Sequence, residues 1–436
     1  MKSCPICRRL FADDAGFCPV DGVALMAAAD VAPERDPDDP RVGQHLADRY
    51  QVRRIVADGG MGRVYEALDM QVGRRVALKV LHSDVARDKV ALERFKREYE
   101  ISQLLPHEHI VEVYDFLKLS DGTYALAMDF LEGEELRALL KRDKTVRPAR
   151  LVRMLSQIAI GLDEAHRRQL IHRDIKPDNV YLCGTHEGDV VKLLDFGSVK
   201  DKSEGAKKLT VMGTTIGSPF YMSPEQAQGL DTLDARADVW ALAAISYESL
   251  TRKVPFLGNN GPSILLAILT QEPIPASHVA REQDVPYPVP PTVDAVLTEA
   301  FAKDPSKRVA TVGLLADRLG HAFGLEGSHR DWAYAAEQPL QESIDLALPE
   351  LMRAKTVRGV EEADPFASVE ADPFATTAMG GGPGEPLGRH DQEGMSTAEL
   401  QAVLAPKGPP VLLIVGLVAG LAILFAAGVL AVFVLL

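Results

Sequence analysis

The chain has 436 residues, 46% of them hydrophobic, so it is longer than one typical domain and has ample apolar material for a buried core. Its formal net charge of −14 argues against a nucleic-acid-binding body, because such proteins need a basic face to meet phosphates. Four cysteines, three of them near the N-terminus, are too few for a secreted disulfide framework, and the chain opens with no apolar run typical of a secretory signal. We therefore expect two or more units joined by linkers.

The N-terminal cysteines lie in two similar short units, Cys-Pro-Ile-Cys from Cys4 to Cys7 and Cys-Pro-Val-Asp from Cys18 to Asp21. Two such turns about ten residues apart can close a tetrahedral Zn²⁺ site, in which a carboxylate is an allowed but less usual fourth ligand. The pattern resembles a zinc ribbon of minimal size, with Asp21 where that family has its fourth cysteine. It predicts a small Zn²⁺ module over residues 1–26, and a turn module without metal remains the alternative.

Residues 27–48 are rich in proline and acid and are predicted to be a solvated linker without a fold. From Tyr50 the sequence alternates like a strand and runs into a glycine-rich hairpin, Asp-Gly-Gly-Met-Gly-Arg-Val-Tyr, which starts at Asp58. Glycines let backbone amides approach phosphate oxygens closely. The apolar strand Val-Ala-Leu-Lys-Val that ends at Val80 contains one cation, Lys79, and such a lysine either reaches solvent or meets an anion.

The next segment has helical periodicity over residues 89–105, with Glu98 among its acidic residues. Residues 110–116 and 123–130 read as two strands joined by a hairpin, which completes a small antiparallel sheet. From residue 148 onward the apolar spacing becomes helical. The order of elements therefore predicts a sheet-rich part followed by a helical part.

The segment from residue 171 to 197 concentrates acidic and amide side chains in two short loops beside apolar strands. Three of them are expected to converge where these strands end, with Lys176 between them: Asp174, Asn179 and Asp195. Mg²⁺ takes oxygen ligands from carboxylates and substrate phosphates, and a free carboxylate nearby can accept a proton from an incoming hydroxyl. This pattern predicts a site for a hard cation and phosphate.

Over about residues 50–320 these motifs resemble the eukaryotic-like serine/threonine protein kinases, in particular the bacterial kind with Gly-Gly-Met-Gly-x-Val-Tyr loops. The resemblance implies an α+β, two-lobed protein kinase fold over residues 49–320, with a small antiparallel β lobe and a larger helical lobe. It implies transfer of the γ-phosphoryl group of ATP to protein Ser/Thr hydroxyls, with Mg²⁺ or Mn²⁺ as the metal. A pseudokinase scaffold, favoured by Ala57 in place of the first glycine of the loop, and a small-molecule kinase remain open.

The resemblance also implies roles for single residues. Lys79 would bridge the α- and β-phosphates and pair with Glu98, while Asp174 would accept the hydroxyl proton. Lys176 would steady the γ-phosphate during transfer. The side chains implied to hold Mg²⁺ are Asn179 and Asp195. The positions implied to contact the nucleotide are Ala57, Asp58, Gly59, Gly60, Gly62, Val64, Ala77, Lys79, Met128, Asp129, Leu131 and Asn179. Among them, the backbone of Asp129 to Leu131 is implied to hydrogen-bond the adenine edge.

Residues 195–225 resemble a kinase activation segment, ending in Gly-Ser-Pro-Phe-Tyr-Met-Ser-Pro-Glu. The charge of Arg173 would pair with a phosphate on this segment. The candidate phosphosites are Thr210, Thr214 and Thr215. Asp238 would hold the catalytic-loop backbone, and Arg308 would brace the large lobe by pairing with Glu225.

The two remaining segments follow the kinase-like part of the chain. Residues 321–410 read as a largely disordered tether, which would begin with a short helix around Trp332. Residues 411–436 contain no charged or polar side chain and exceed the about 20 apolar residues needed to cross a membrane, so they predict a single C-terminal transmembrane helix at the cell membrane. The kinase would then be cytoplasmic, where ATP and protein substrates are found. Gly416 and Gly420 predict a homodimer through close helix packing, although glycine is also common in membrane helices.

Overall fold

The computed structural model describes residues 1–28, 30–31, 39–196, 200–201, 219–230 and 232–353. By its contacts the chain divides into Met1–Gly359 and Val360–Leu436, and the second unit lies outside the described residues. No helix in the described ranges is long and apolar enough to cross a membrane. The transmembrane helix predicted at 411–436 and its two glycines lie outside those ranges.

Three short strands near the N-terminus form a sheet of their own. They are β1 (Lys2–Ser3), β2 (Leu10–Phe11) and β3 (Met26–Ala27), in the order β2-β1-β3. Leu10 and Ala28 are buried together with Leu68 of the neighbouring sheet, because the small module has few apolar side chains of its own to pack against. The module therefore rests on the small lobe.

The small lobe is one six-stranded antiparallel sheet in the order β4-β5-β6-β7-β9-β8. Its strands are β4 (His45–Leu46), β5 (Tyr50–Asp58), β6 (Gly62–Asp69), β7 (Arg74–Leu81), β8 (Val113–Lys118) and β9 (Tyr124–Asp129). The helix α1 (Lys89–Leu104) packs beside β8, and Asp88 caps its N-terminus by accepting the N–H of Val90 with its carboxylate. The strand predicted at 110–116 begins only at Val113, because Ile110 and the N–H of Val111 bond to Leu193 instead.

The linker predicted without a fold at 27–48 is partly structured, and this corrects the sequence interpretation. Residues 45–46 form β4, which extends the sheet beside β5. Asp39 is buried because it accepts the hydroxyl of Tyr65 at 2.6 Å and pairs with Arg63 at 2.6 Å. A carboxylate with two partners on β6 can be buried at low cost, which an acid-rich stretch of sequence does not indicate.

The large lobe is helical around the buried helices α3 and α5. Its first part contains β10 (Glu134–Glu135), α2 (Leu136–Asp143), α3 (Pro148–Arg167), β11 (Leu170–Ile171), β12 (Val180–Thr185), β13 (Gly188–Leu193) and β14 (Lys200–Asp201). Its second part contains α4 (Pro224–Ala227), α5 (Arg236–Thr251), α6 (Gly261–Thr270), α7 (Ala276–Glu282), α8 (Pro291–Ala300) and α9 (Val312–Ala322). β12 and β13 form a hairpin whose ends carry the predicted metal-binding residues.

Residues 321–353 continue the large lobe, which corrects the tether predicted from residue 321. Helices α10 (His329–Trp332) and α11 (Glu337–Leu351) pack on α3. Trp332 is buried, and its indole N–H donates to the carbonyl of Glu326 at 2.8 Å. Tyr334 donates its hydroxyl to Glu108 of the small lobe at 2.6 Å. The predicted tether is thus wrong for residues 321–353, and the rest of it lies outside the described residues.

Candidate active site

A buried carboxylate on α5 fixes the loop that carries Asp174. Asp238 accepts the backbone N–H groups of His172 at 3.0 Å and Arg173 at 2.9 Å, and its Oδ2 lies 2.7 Å from Nε2 of His166. Burial raises the pKa of Asp238, but the hydrogen bond and charge of His166 outweigh burial, so this pKa is lowered. The carboxylate therefore stays ionised at neutral pH and can hold both N–H groups.

Asp174 presents a partly exposed carboxylate that two neighbours orient. The ammonium of Lys176 lies 2.6 Å from Oδ2 of Asp174. Nδ2 of Asn179 donates to the Asp174 carbonyl at 2.7 Å and to its Oδ2 at 3.2 Å. A fixed carboxylate that solvent and substrate can reach is what a proton acceptor requires.

Lys79 and Glu98 form an ion pair between β7 and α1, with Nζ at 2.9 Å from Oε2 and 3.3 Å from Oε1. Burial lowers the pKa of Lys79, but the charges of Glu98 and Asp195 outweigh it and raise this pKa overall. The pKa of Glu98 is raised by its burial, against the charge of Lys79. Glu98 is thus the acid of α1 that meets the β7 lysine.

Asp195 lies near this pair, since its charge acts on both Lys79 and Glu98. Its φ of 59° is in the left-handed region, which residues other than glycine seldom adopt. This backbone conformation turns the chain after β13. The N–H of Leu194 donates to the carbonyl of Asn179 at 2.9 Å, which joins the two loops. The Asn179 and Asp195 loops therefore meet, as the sequence predicts.

The glycine-rich hairpin joins β5 to β6 with Gly59 N–H donating to the Gly62 carbonyl at 3.1 Å. A Cβ on Gly62 would lie 2.2 Å from the carbonyl oxygen of Val80, so only glycine fits there. Two contacts that the sequence did not predict brace this hairpin. Arg63 pairs with Asp58, and Nε2 of His82 lies 2.9 Å from the carbonyl oxygen of Gly59.

The remaining predicted nucleotide contacts lie on adjoining strands. Ala57 is in β5, opposite Val64, in an extended conformation that any residue adopts. Ala77 and Met128 are neighbours in the β7–β9 register, and both side chains are buried. The N–H of Asp129 donates to the carbonyl of Glu112 at 3.0 Å, so this N–H is already bonded within the small lobe.

The ion pair predicted in the large lobe is buried and bidentate. The two terminal nitrogens of Arg308 lie 2.7 Å and 2.9 Å from the carboxylate oxygens of Glu225. Arg308 also donates to the carbonyl of Arg236 at 2.6 Å. This cation joins the end of the activation segment to the start of α5.

A second cation near Arg173 was missed by the sequence analysis. Burial lowers the pKa of Arg173, and the charge of Arg97 on α1 lowers it further. Within the described part of the chain, the Nε atoms of both arginines are buried without a hydrogen-bond partner. The only sequence signal is that Arg97 directly precedes Glu98. The predicted phosphosites Thr210, Thr214 and Thr215 lie outside the described residues.

A separate group of ligand atoms, here called the cysteine cluster, consists of Cys4, Cys7, Cys18 and Asp21. Their sulfur and carboxylate atoms all lie within 4.8 Å of one another. Oδ2 of Asp21 lies 3.2 Å from Sγ of Cys4 and 3.3 Å from Sγ of Cys18, and the sulfurs of Cys7 and Cys18 are 3.6 Å apart. Backbone N–H groups donate to two of the sulfurs, from Ile6 and Cys7 to Cys4 and from Asp21 to Cys18.

A family model described as the protein kinase domain matches residues 50–319, well over half of the chain. The chain belongs to the protein kinase family. The match confirms the two-lobed kinase fold predicted from the sequence. The family implies ATP together with Mg²⁺ or Mn²⁺, in agreement with the hard oxygen donors that Asn179 and Asp195 offer.

Curated relatives of this kinase domain are serine/threonine kinases of bacteria. The chain is 35% identical over 281 residues to serine/threonine-protein kinase pkn3 of Myxococcus xanthus. The aligned region covers 64% of this chain and 50% of pkn3. It is 35% identical over 270 residues to PknB of Mycobacterium tuberculosis, covering 61% of this chain and 42% of PknB. With PknA of the same species, the identity is 35% over 284 residues, or 64% and 62% of the two chains. The chain thus carries a serine/threonine kinase domain and spans about half the length of the first of these relatives.

Proposed function

We propose that this protein is an ATP-dependent protein serine/threonine kinase that phosphorylates Ser/Thr hydroxyls of other proteins and of its own activation segment. The observation that carries the proposal is the Lys79–Glu98 pair at 2.9 Å, with the charge of Asp195 acting on both residues. Protein kinases need this lysine–glutamate pair and the metal-binding aspartate in place together for transfer. The pair therefore favours an active enzyme over a nucleotide-binding scaffold.

Each side chain of the site would have a separate role in phosphoryl transfer, which follows from its position. Bound Mg²⁺ supplies positive charge that neutralises the phosphates of ATP. Asn179 and Asp195 would hold that ion, and Lys79 would hold the α- and β-phosphates. Asp174 would accept the proton of the substrate hydroxyl, while Lys176, 2.6 Å from it, would balance charge at the γ-phosphate.

The full chain, incubated with γ-labelled ATP, Mg²⁺ and a general protein substrate, tests this proposal. Label on serine and threonine residues, mapped by mass spectrometry, supports it. A protein that binds ATP but labels nothing would favour the pseudokinase scaffold, and label found only on small molecules would favour the small-molecule kinase. Lys79→Met provides the matched control for contaminating kinases.

Phosphate on the activation segment is proposed to raise activity by binding between Arg173 and Arg97. Two neighbouring guanidinium groups with unpaired Nε atoms offer several charge-assisted hydrogen bonds to a phosphate. Replacing Thr210, Thr214 and Thr215 together by alanine should lower kcat on an added substrate about tenfold, a loss that corresponds to about 1.4 kcal/mol.

Arg97→Gln is expected to reproduce that loss, measured as the initial rate of substrate phosphorylation. Lys96→Gln on the same helix is the control, because Lys96 is exposed and pairs only with Glu100 four residues on, among the contacts described. A triple-alanine protein that keeps the parent rate would contradict the role of the phosphate.

The cysteine cluster is proposed to bind one Zn²⁺ through Cys4, Cys7, Cys18 and Asp21. Three thiolates and one carboxylate form a donor set that suits tetrahedral zinc, and the N–H donors on the sulfurs would stabilise thiolates. Metal analysis of the reduced full chain should give one zinc per chain. Cys4→Ser with Cys18→Ser should abolish it, whereas Cys183→Ser in β12 should not. Substoichiometric zinc in the parent protein would favour the metal-free turn module.

The protein is also proposed to be anchored in the cell membrane by residues 411–436, with the kinase on the cytoplasmic side. The support is the uncharged sequence of these residues alone. Full-length protein should remain in the membrane fraction after high-salt washing, and protein ending at residue 410 should be released. Gly416→Ile with Gly420→Ile should stay in the membrane but yield less crosslinked homodimer. A washed full-length protein in the soluble fraction would contradict the anchor.

A further inference from the structure

The N-terminal module contacts the small lobe at the backbone of Leu10, and the guanidinium of Arg53 on β5 forms a second junction by donating to the carbonyls of Ala28 at 2.7 Å and Val31 at 2.6 Å. The N–H of Leu10 donates to Oε1 of Glu66 at 3.1 Å, and its carbonyl accepts a terminal nitrogen of Arg75 at 2.5 Å. Glu66 on β6 is fully buried, so its hydrogen bond to Leu10 is shielded from water. Leu10 is thus held from both sides by the sheet that carries Lys79.

Arg75 also contacts the segment that follows β9, the strand next to β7 in the sheet. Its second terminal nitrogen pairs with Glu132, and its guanidinium lies 4.3 Å from the centroid of the Phe130 ring. Phe130 and Glu132 flank Leu131, in the segment whose backbone is proposed to contact the adenine edge. The Arg75 side chain therefore contacts both the N-terminal module and the segment that is predicted to contact the nucleotide.

The cysteine cluster lies close in sequence and space to this junction. Cys4 directly follows β1, whose Ser3 pairs with Leu10, and the N–H of Cys4 donates to the carbonyl of Arg9 at 3.0 Å. Binding a metal between the Cys4–Cys7 turn and the Cys18–Asp21 turn would fix this stretch of backbone. A module with so small a core depends on its metal for order. The position of the carbonyl that Arg75 binds would thus be fixed by the same turns that would hold the metal.

We infer that the cysteine cluster is a regulatory metal site, and that Arg75 is the positioning residue through which Zn²⁺ on the module favours nucleotide binding. The inference rests on the Zn²⁺ site proposed above. Binding of Zn²⁺ to the module fixes the position of the Leu10 carbonyl, and this carbonyl holds Arg75 against Phe130 and Glu132. The backbone that is predicted to contact adenine is ordered as a result. Because coupling between two sites is reciprocal, nucleotide must tighten Zn²⁺ binding by the same factor.

The test uses the full chain, loaded with Zn²⁺ or stripped by a chelator, and measures the dissociation constant of a non-hydrolysable ATP analogue by titration. Stripping should weaken nucleotide binding at least about fivefold, the lower end of usual coupling between sites. KM for ATP should rise with it, while kcat at saturating ATP should change much less. In the reverse titration, the analogue should raise zinc affinity by the same factor.

Arg75→Met should weaken nucleotide binding in the zinc-loaded protein and remove its response to zinc. Arg75→Lys should restore part of that response, and Glu132→Gln, which leaves the Leu10 contact in place, should reduce it. Arg74→Met is the matched control, since Arg74 is the adjacent residue of β7 and lies over the Tyr114 ring, 3.5 Å from its centroid. It should keep the full response.

The outcomes separate the two proposals. A parent protein that binds no zinc overturns the Zn²⁺ site, and the regulatory inference fails with it. Stoichiometric zinc whose removal leaves nucleotide affinity unchanged leaves the Zn²⁺ site standing and overturns the coupling. A folded Arg75→Met protein that still responds to zinc as the parent does overturns the role of Arg75.

Discussion

Asp174→Asn is expected to lower the rate of phosphoryl transfer by about 10²- to 10⁴-fold while nucleotide affinity stays nearly unchanged. The amide cannot accept the proton of the substrate hydroxyl, yet it has almost the size of the carboxylate. Lys176 and Asn179, which orient this side chain, contact it at 2.6 Å and 3.2 Å and are not altered. The loss should therefore appear in kcat rather than in binding.

Single-turnover labelling of a protein substrate, together with nucleotide titration, measures both quantities for Asp174→Asn. Asp178→Asn in the same loop is the control, because Asp178 is about half exposed and pairs with Arg137 on α2. Its rate should stay within about threefold of the parent, because exposed ion pairs contribute little. An Asp174→Asn protein with the parent rate would exclude Asp174 as the proton acceptor.

Breaking the Glu225–Arg308 pair is expected to give the largest loss of stability. The Arg308 side chain has no exposed surface, and Glu225 is its bidentate partner. Glu225→Gln would leave a buried guanidinium without its counter-charge, which costs about 3–5 kcal/mol of unfolding free energy. That is a large share of the free energy of unfolding of a folded protein, which is typically about 5–15 kcal/mol.

Denaturant unfolding of the full chain, followed by the fluorescence of the two buried tryptophans, Trp240 and Trp332, measures this change. Glu299→Gln is the matched control, because Glu299 pairs with Arg318 at the surface, where both side chains are well exposed. It should cost less than about 1 kcal/mol. Equal midpoints for Glu225→Gln and the parent would show that the buried pair does not stabilise the large lobe.

The sequence predicted the site where local pattern and chemistry coincide. The pairing of Lys79 with Glu98 was predicted from the resemblance to protein kinases, because the pattern alone shows only a single cation in an apolar strand and an acid in a helical segment. Arg97 could not be found in this way, because an arginine on a helix is ordinarily solvated. Its significance comes from Arg173, 76 positions later in the sequence, whose position depends on Asp238.

The boundaries of the fold were less predictable, since they depend on contacts between distant segments. Asp39 reads as part of an acidic linker until Tyr65 and Arg63 of β6 are seen to hold its carboxylate. Arg75 reads as an ordinary surface residue of a strand until Leu10 is placed beside it. Such pairings depend on how distant segments of the chain pack on the sheet, and the periodicity within either segment does not predict them.

Helices α10 and α11 increase the length of the smallest fragment of this kinase that should fold on its own. Gly320 lies so close to Trp332 that a Cβ there would be 2.1 Å from the indole ring, so the tryptophan fills a groove of the lobe itself. A recombinant fragment cut at residue 319, where the family match ends, would leave that groove open. Losing a buried tryptophan costs about 3–5 kcal/mol. Fragments for crystallisation or inhibitor screening should therefore include residues up to Arg353, so that Trp332 and α11 stay packed on the large lobe.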